Sequence, residues 1–145
     1  MKLNIRKAQA SDLSAIMKIE QQSFKEPWAE ASFLNEMAQH EVFVLYFEEI
    51  LMAYICGWKI LDEYNITNLA VREDLRKQGL GDLLVSHVMS IHREDCSLIY
   101  LEVRESNTAA RKLYMKKKFD IVGVRKNYYK SPIENAVIME YRYSE

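Results

Sequence analysis

A turn with two glycines precedes an apolar helical pattern in the stretch RKQGLGDLL, where Gly79 and Gly81 follow Arg76 and Lys77. Glycine lets backbone N–H groups approach an oxyanion closely, and the free N–H groups and dipole of a helix start favour a negative ligand. The turn therefore suits a phosphate group. A tight strand-to-helix connection without a ligand explains the same glycines equally well. Nucleotide hydrolysis and NAD chemistry gain little support, because no Walker Lys-Ser/Thr pair follows and Leu84 stands where a dinucleotide fingerprint has its third glycine.

A carboxylate, an amide and a phenol follow in the stretch LEVRESNTAARKLY. Alternation along a strand places Glu102 on the same face as Leu98 and Tyr100, so this carboxylate has apolar neighbours. Asn107 and Tyr114 are seven residues apart, about two helical turns, so their side chains lie nearly in line. Each residue alone could be ordinary, Glu102 as a strand-end carboxylate in water and Tyr114 as a core residue. Together with the glycine turn they favour a functional site.

The elements that must position these residues alternate between strands and helices. We expect a helix capped by Ser11 or Asp12, a second short helix after Pro27, a helix from Leu80 to about Glu94 and a helix from Asn107 to about Lys118. The predicted strands are KLNIRKA, VFVLYF, LMAYICGWKI, YNITNLAV, LIYLEV, FDIVGVRKNYY and AVIMEYRY. This order predicts an α/β fold with mixed strand pairing.

Length and composition predict a single domain, residues 1–145. The net charge of −1 gives no protein-wide positive field that would draw the chain to nucleic acid or to a membrane surface. The N-terminus has no apolar stretch of signal-peptide length and no run could span a bilayer, so we expect a cytoplasmic protein. Cys56 and Cys96 lack a paired spacing and are expected to be buried free thiols. The three histidines show no tight ligand pattern, so no metal is predicted.

The sequence resembles the GCN5-related N-acetyltransferase (GNAT) superfamily at RKQGLG, which fits the signature R/Q-x-x-G-x-G/A. LEVRESNTAARKLY, EQQSFKEPWAEASF, ILDEYNITNLAV and RKNYYKSPIENAVIM are similar to further blocks of the RimI-like ribosomal-protein-alanine acetyltransferases. The resemblance covers nearly the whole chain. It implies a central mixed, mostly antiparallel sheet flanked by helices, with acetyl-CoA lodged between splayed fourth and fifth strands.

The resemblance also implies roles for individual residues. Glu102 would be the general base and Tyr114 the general acid. The backbone from Lys77 to Asp82 would wrap the pyrophosphate of coenzyme A, and the other cofactor contacts would come from Asn107 and the backbone of Leu69 to Val71. Written out, the expected cofactor-binding residues are Leu69, Ala70, Val71, Lys77, Gln78, Gly79, Leu80, Gly81, Asp82 and Asn107.

Two positions depart from the family pattern. Lys118 stands where the family usually has the glycine of its "GF" ending, which is expected to affect the turn after the last helix. Asn135 stands where "ED" is common, in the loop expected on the substrate side. Trp28, Tyr128 and Tyr129 could line a peptide groove or pack in the core, and the sequence leaves both readings open.

The chemistry accounts for the residue types. A free α-amine has a pKa of about 8 and is mostly protonated at neutral pH, so a base must remove a proton before it attacks a thioester. A partly buried carboxylate can do this directly or through a water, and a phenol can donate to the leaving thiolate. Direct transfer requires neither a metal nor a covalent enzyme intermediate.

The resemblance implies an acetyl-CoA-dependent N-terminal acetyltransferase acting on the N-terminal alanine of small-subunit ribosomal protein eighteen. Its expected partners are that N-terminus and coenzyme A, without direct nucleic acid or membrane contact. Two alternatives remain open. One is an acetyltransferase of a small amine such as a polyamine, amino acid or drug. The other is a non-catalytic acyl-CoA-binding or ribosome-assembly module.

Overall fold

The computed structural model describes residues 2–144. Seven strands are interleaved with four helices. The strands are β1 (Leu3–Lys7), β2 (Glu41–Phe47), β3 (Ile50–Ile60), β4 (Glu63–Val71), β5 (Leu98–Arg104), β6 (Asp120–Lys130) and β7 (Ile133–Arg142). The helices are α1 (Leu13–Ser23), α2 (Glu30–Gln39), α3 (Leu80–Ile91) and α4 (Thr108–Lys116), with short 3-10 turns at Ala10–Asp12 and Glu73–Leu75.

All seven strands form one sheet in the order β1-β2-β3-β4-β5-β7-β6. Neighbouring strands are antiparallel except β4 and β5, which run parallel. That parallel pair is short, because Glu63–Ile66 of β4 pairs with Leu98–Leu101 of β5 and the two strands then separate. The predicted fold class, a mixed and mostly antiparallel sheet with splayed fourth and fifth strands, is confirmed.

Hydrophobic residues pack on both faces of the sheet. On one face, α1 and α2 contribute Ile16, Ile19 and Phe33 to a core with Val44 and Tyr54. A larger core on the other face contains the apolar side of α3 together with residues of β5, α4 and β7, namely Leu84, Val85, Val88, Ile99, Leu101, Tyr114 and Met139. Cys56 and Cys96 are buried free thiols, as expected.

The start of α1 differs from the sequence prediction. Asp12 precedes the helix, but its carboxylate makes no capping hydrogen bond to it. Instead the carboxylate accepts hydrogen bonds from Arg6 Nη1 at 2.8 Å, from the Tyr46 hydroxyl and from the Gln9 backbone N–H at 2.7 Å. The predicted cap is therefore wrong, because a guanidinium and a phenol on adjacent strands compete for the same oxygens.

The end of α4 is closed by a Schellman motif. The Phe119 N–H donates to the Tyr114 carbonyl at 2.9 Å, and the Lys118 N–H donates to the Met115 carbonyl at 3.0 Å. The rings of Phe119 and Tyr114 also pack, with centroids 5.2 Å apart. Lys118 itself has a φ of +75°, the left-handed conformation that glycine adopts at no steric cost. Lys118 thus preserves the turn of the family pattern at a conformational cost.

Replacing Lys118 by glycine should stabilise the protein. Relief of the left-handed strain, partly offset by the greater chain entropy of glycine, should raise the free energy of unfolding by about 1 kcal/mol in urea titrations. Lys112→Gly is the matched control, since it introduces glycine at an exposed position inside α4 and should destabilise by about 1 kcal/mol. Equal destabilisation by both substitutions would contradict the strain at Lys118.

Candidate active site

A cavity of about 660 Å³ opens where β4 and β5 separate. Its walls come from the end of α1 and the loop after it, from residues 66–69 of β4, from residues 101–104 of β5, from α4 and from the β6–β7 end. Four of the residues predicted from the sequence line it together: Leu69, Glu102, Asn107 and Tyr114. The divergence of the two parallel strands therefore places a carboxylate, an amide and a phenol around one space.

Glu102 lies on the face of β5 that looks toward α1 and α2, because its neighbours Leu101 and Val103 point into the opposite core. Its Oε2 atom is 2.8 Å from Arg125 Nε, an ion pair across the sheet to β6. The contact lacks hydrogen-bond geometry, so this enclosed oxygen has no hydrogen-bond partner within residues 2–144. The guanidinium balances the charge of the carboxylate while leaving its hydrogen-bonding capacity free.

Tyr114 reaches the cavity from the other face of the sheet. Its ring is buried between α4 and the core, and burial raises the pKa of its phenol further above neutral pH, where a phenol already carries its proton. Tyr114 lines the cavity, and its hydroxyl makes no hydrogen bond to another side chain or backbone group of residues 2–144. It is available to donate a proton or a hydrogen bond to a group held there.

Asn107 has a structural task as well as a position in the cavity wall. Its Oδ1 accepts from the Ala110 N–H at 3.2 Å and so caps α4. The amide nitrogen is not used by this cap. Asn107 can therefore cap the helix and donate to a ligand at the same time.

The turn before α3 has the geometry of an anion site. Lys77 and Gly79 have φ values of +64° and +82°, and Gly79 occupies the N-cap position of α3. The backbone N–H groups of Gly79, Leu80, Gly81 and Asp82 donate to no acceptor in residues 2–144. A side chain built at Gly79 would meet nothing within 4 Å, so space is open beside these donors. Free N–H groups, open space and a helix N-terminus together fit a phosphate.

The side chains of this turn have other tasks. Leu80 is buried in the core, and Asp82 accepts a hydrogen bond from Lys117 Nζ at 3.0 Å, which lowers the pKa of Asp82. A Cβ at Gly81 would lie 3.2 Å from Leu113 Cδ2, so Gly81 also permits the close packing of α3 on α4. Ligand binding by these residues is thus confined to their backbone, and bulk at Gly81 would disturb packing as well.

The remaining predicted residues adjoin this turn. Ala70 is buried against the α1 core, and the Val71 carbonyl accepts from Arg76 Nε at 3.2 Å. The side chains of Lys77 and Gln78 are exposed. These four residues do not line the cavity, which ends at Leu69 on this strand.

Sequence reasoning missed Glu20, which also lines the cavity and is 1% exposed. Its Oε1 accepts from the Tyr54 hydroxyl at 2.6 Å and from Asn68 Nδ2 at 2.8 Å, and its Oε2 accepts from the Trp28 N–H at 2.9 Å. The carboxylate thus joins α1 to β3, β4 and the α1–α2 loop. The sequence did contain a signal for Glu20. It lies four residues after Ile16 in α1 and therefore on the same apolar helix face, where a carboxylate is unusual.

Aromatic and charged side chains form the rim opposite this loop. The Arg104 guanidinium lies 4.2 Å from the centre of the Tyr129 ring and 3.1 Å from Glu134. Trp28 and Tyr129 line the cavity, whereas Tyr128 does not. The amide of Asn135 accepts from the Asn127 N–H at 3.0 Å and so supports the irregular part of β6 that precedes these tyrosines.

Comparison with known proteins identifies the protein family. The Acetyltransferase (GNAT) family matches residues 13–119. The chain belongs to this family. A "[Ribosomal protein bS18]-alanine N-acetyltransferase" of Haemophilus ducreyi is 35% identical over 133 residues, which cover 88% of this chain and 92% of that protein.

Solved GNAT structures superpose over almost the full length. The ribosomal-protein-S18-alanine N-acetyltransferase of Escherichia coli has a TM-score of 0.91 and 32% identity, covering 99% of this chain and 96% of that one. Arabidopsis thaliana NAA60 in complex with acetyl-CoA has a TM-score of 0.89 over 97% of this chain and 99% of its own, and at 19% identity it supports the fold alone. No helix within residues 2–144 of the GNAT chain is long and apolar enough to cross a bilayer.

Removing the Glu20 carboxylate should destabilise the protein, because Glu20 joins α1 to β3, β4 and the α1–α2 loop. Glu20→Ala leaves three buried donors without an acceptor, so the free energy of unfolding should fall by about 3 kcal/mol or more in urea titrations. Glu20→Gln is the conservative control and should lose much less, because its amide can still meet these groups if Asn68 turns over. An alanine variant as stable as wild type would show that water replaces the carboxylate.

Proposed function

We propose that this chain is an acetyl-CoA-dependent N-terminal acetyltransferase whose acceptor is the N-terminal alanine of ribosomal protein bS18, with residues 1–145 acting as a single domain. The observation that carries the proposal is the meeting of Glu102 and Tyr114 at the gap between β4 and β5. Membership of the GNAT family and the relatives' names support the reaction and the acceptor. Ribosomal proteins are made in the cytoplasm, so we assign the enzyme to that compartment.

The residues fit acetyl-CoA. The four free N–H groups from Gly79 to Asp82 would hold the pyrophosphate, while Leu69 and Asn107 in the cavity wall, and the backbone of Ala70 and Val71 beyond it, would contact the pantetheine arm and acetyl group. Bound acetyl-CoA supplies an acetyl group activated as a thioester. Asp82 forms an ion pair with Lys117. The ammonium group balances the negative charge of this carboxylate, which would otherwise repel the pyrophosphate.

The chain's own groups would then manage the protons. Glu102 would take a proton from the acceptor ammonium, directly or through water, so that a neutral amine faces the cavity. Arg125 forms an ion pair with this carboxylate without occupying it by a hydrogen bond. Tyr114, whose phenol carries its proton at neutral pH, would donate from the opposite wall to the departing sulfur. Glu20 would hold the loop around Trp28 that forms the acceptor side.

The experiment that tests the function is an acetylation assay with a small panel of acceptors. We expect turnover with an alanine-initiated bS18 peptide and almost none with the same peptide N-blocked and containing lysine. Faster turnover with spermidine would favour the small-amine alternative. Coenzyme A binding without turnover of any acceptor would favour a non-catalytic module.

Gly79→Ala should weaken coenzyme A binding. Alanine disfavours the left-handed conformation that aims the following N–H groups, so affinity should fall by about tenfold, the equivalent of one charge-assisted hydrogen bond of about 1.5 kcal/mol. Calorimetry with coenzyme A measures this. Gly123→Ala in β6 is the control, because its Cβ would make an ordinary 3.5 Å contact. Unchanged affinity of the Gly79 variant would exclude the turn as the pyrophosphate site.

Glu102→Gln should reduce turnover far more than coenzyme A affinity. Loss of a general base lowers the rate by on the order of one hundredfold or more. Arg125→Gln is the control, because it removes the ion pair with Glu102 but leaves the Glu102 carboxylate in the cavity. This variant should keep most of the turnover. Equal losses in both variants would show that the ion pair matters rather than the base.

Tyr114→Phe should slow acetyl transfer while the fold and coenzyme A binding survive, because the ring and its packing on Phe119 remain. A thiol with a pKa of about 8.5 leaves tolerably without help, so the loss should be smaller than for Glu102→Gln. Pre-steady-state transfer to the alanine peptide under saturating conditions measures the step. A wild-type rate in this variant would make Tyr114 a packing residue only.

A further inference from the structure

Three residues with different metal-binding atoms meet in the turn that follows α3. His92 Nδ1 lies 3.1 Å from Asp95 Oδ1 and 3.9 Å from Cys96 Sγ, and one ligand atom of each residue lies within 4.8 Å of the others. Ligands bound to one tetrahedral zinc ion are separated by similar distances, given bond lengths of about 2.0–2.3 Å. The turn is at the start of β5, whereas the acetyl-transfer cavity lies at the other end of the parallel pair.

The surroundings of His92 resemble those of a metal ligand. Its second ring nitrogen, Nε2, is 2.9 Å from Glu41 Oε1, and metal-bound histidines usually donate this N–H to a carboxylate. The imidazole also stacks on the Tyr64 ring at 4.0 Å, which fixes its orientation. A backbone hydrogen bond from the Cys96 N–H to the His92 carbonyl at 3.0 Å closes the turn. The imidazole and thiol are therefore held in place by contacts that involve no ion.

Charge and ligand type indicate which ion would fit. With Cys96 bound as a thiolate, Glu41, Asp95 and Cys96 would together carry three negative charges, and Lys59 contributes one positive charge 3.3 Å from Asp95 Oδ2. A divalent cation would balance this group. Nitrogen and sulfur ligands together select a borderline or soft metal such as Zn²⁺ over Mg²⁺ or Ca²⁺.

We propose that His92, Asp95 and Cys96 bind a divalent transition metal of the zinc class, with Glu41 orienting the histidine and a fourth position open to water. The ion would join the end of α3 to the start of β5. The competing interpretation is an imidazole that only hydrogen-bonds to Glu41 and Asp95 and binds no cation. The proposal is independent of the acetyl-transfer function and can be tested without an activity measurement.

Titration of the reduced full chain with Co²⁺ distinguishes the two. We expect one equivalent to bind and to produce a thiolate-to-cobalt charge-transfer band that Zn²⁺ abolishes. Cys96→Ser should lose the band, and Cys56→Ser, which changes the other buried thiol, should keep it. Glu41→Gln should weaken the affinity by about ten- to one hundredfold, as for other residues that orient metal ligands.

Asp95→Asn provides a second test that does not depend on a buried side chain, since Asp95 is exposed. It should weaken Co²⁺ binding while circular dichroism and thermal unfolding without metal stay close to wild type. Absence of a charge-transfer band in the wild-type chain would overturn the proposal. So would a band that Cys96→Ser retains, or affinity that neither Asp95→Asn nor Glu41→Gln changes.

Discussion

Strands β4 and β5 share only four residue pairs before they diverge, and the active site depends on this early separation. Both strands remain anchored on their outer edges, because β3 pairs with β4 as far as Val71 and β7 pairs with β5 as far as Arg104. The inner edges then carry backbone groups without a strand partner. Such groups need a hydrogen-bond partner from water or a ligand. The gap therefore offers backbone donors and acceptors to an extended ligand that carries polar groups along its length.

The same separation brings side chains from both faces of the sheet to one cavity. Glu102 belongs to the face covered by α1 and α2, and Tyr114 belongs to the core under α3 and α4. A continuous sheet would keep these groups apart. At the gap, a carboxylate and a phenol meet in one cavity from opposite sides, which is the arrangement that removal of one proton and delivery of another requires.

Periodicity predicted the order of strands and helices, and the seven-residue spacing placed Asn107 and Tyr114 on one side of α4. It could not predict the divergence of β4 and β5, which followed from the family resemblance alone. Nor could it reveal the partners of Glu20, because Tyr54 and Asn68 lie 34 and 48 residues away along the chain. The Asp12 cap failed for the same reason, since Tyr46 reaches it from a distant strand. Local patterns define elements, while buried polar networks depend on tertiary contacts.

Two groups of hydrogen bonds hold the elements around the cavity in place. On the side of the proposed coenzyme A site, Lys117 links Asp82 at the start of α3 to the end of α4, and the Schellman motif after α4 holds Tyr114. The turn before α3 and the phenol are therefore carried by one packed pair of helices. On the acceptor side, Glu20 ties the loop around Trp28 to β4. The hydrogen bonds of Lys117 and of Glu20 share no residue, but Arg76 Nη2 in the turn before α3 donates to Ser23 Oγ at the end of α1 at 3.0 Å, so the two groups are also linked directly. If the proposed function holds, substitutions in the α1–α2 loop and the β6–β7 rim would change which amine is presented to Glu102, while those that reach Ser23 would also be felt by Arg76 beside the turn proposed to hold coenzyme A.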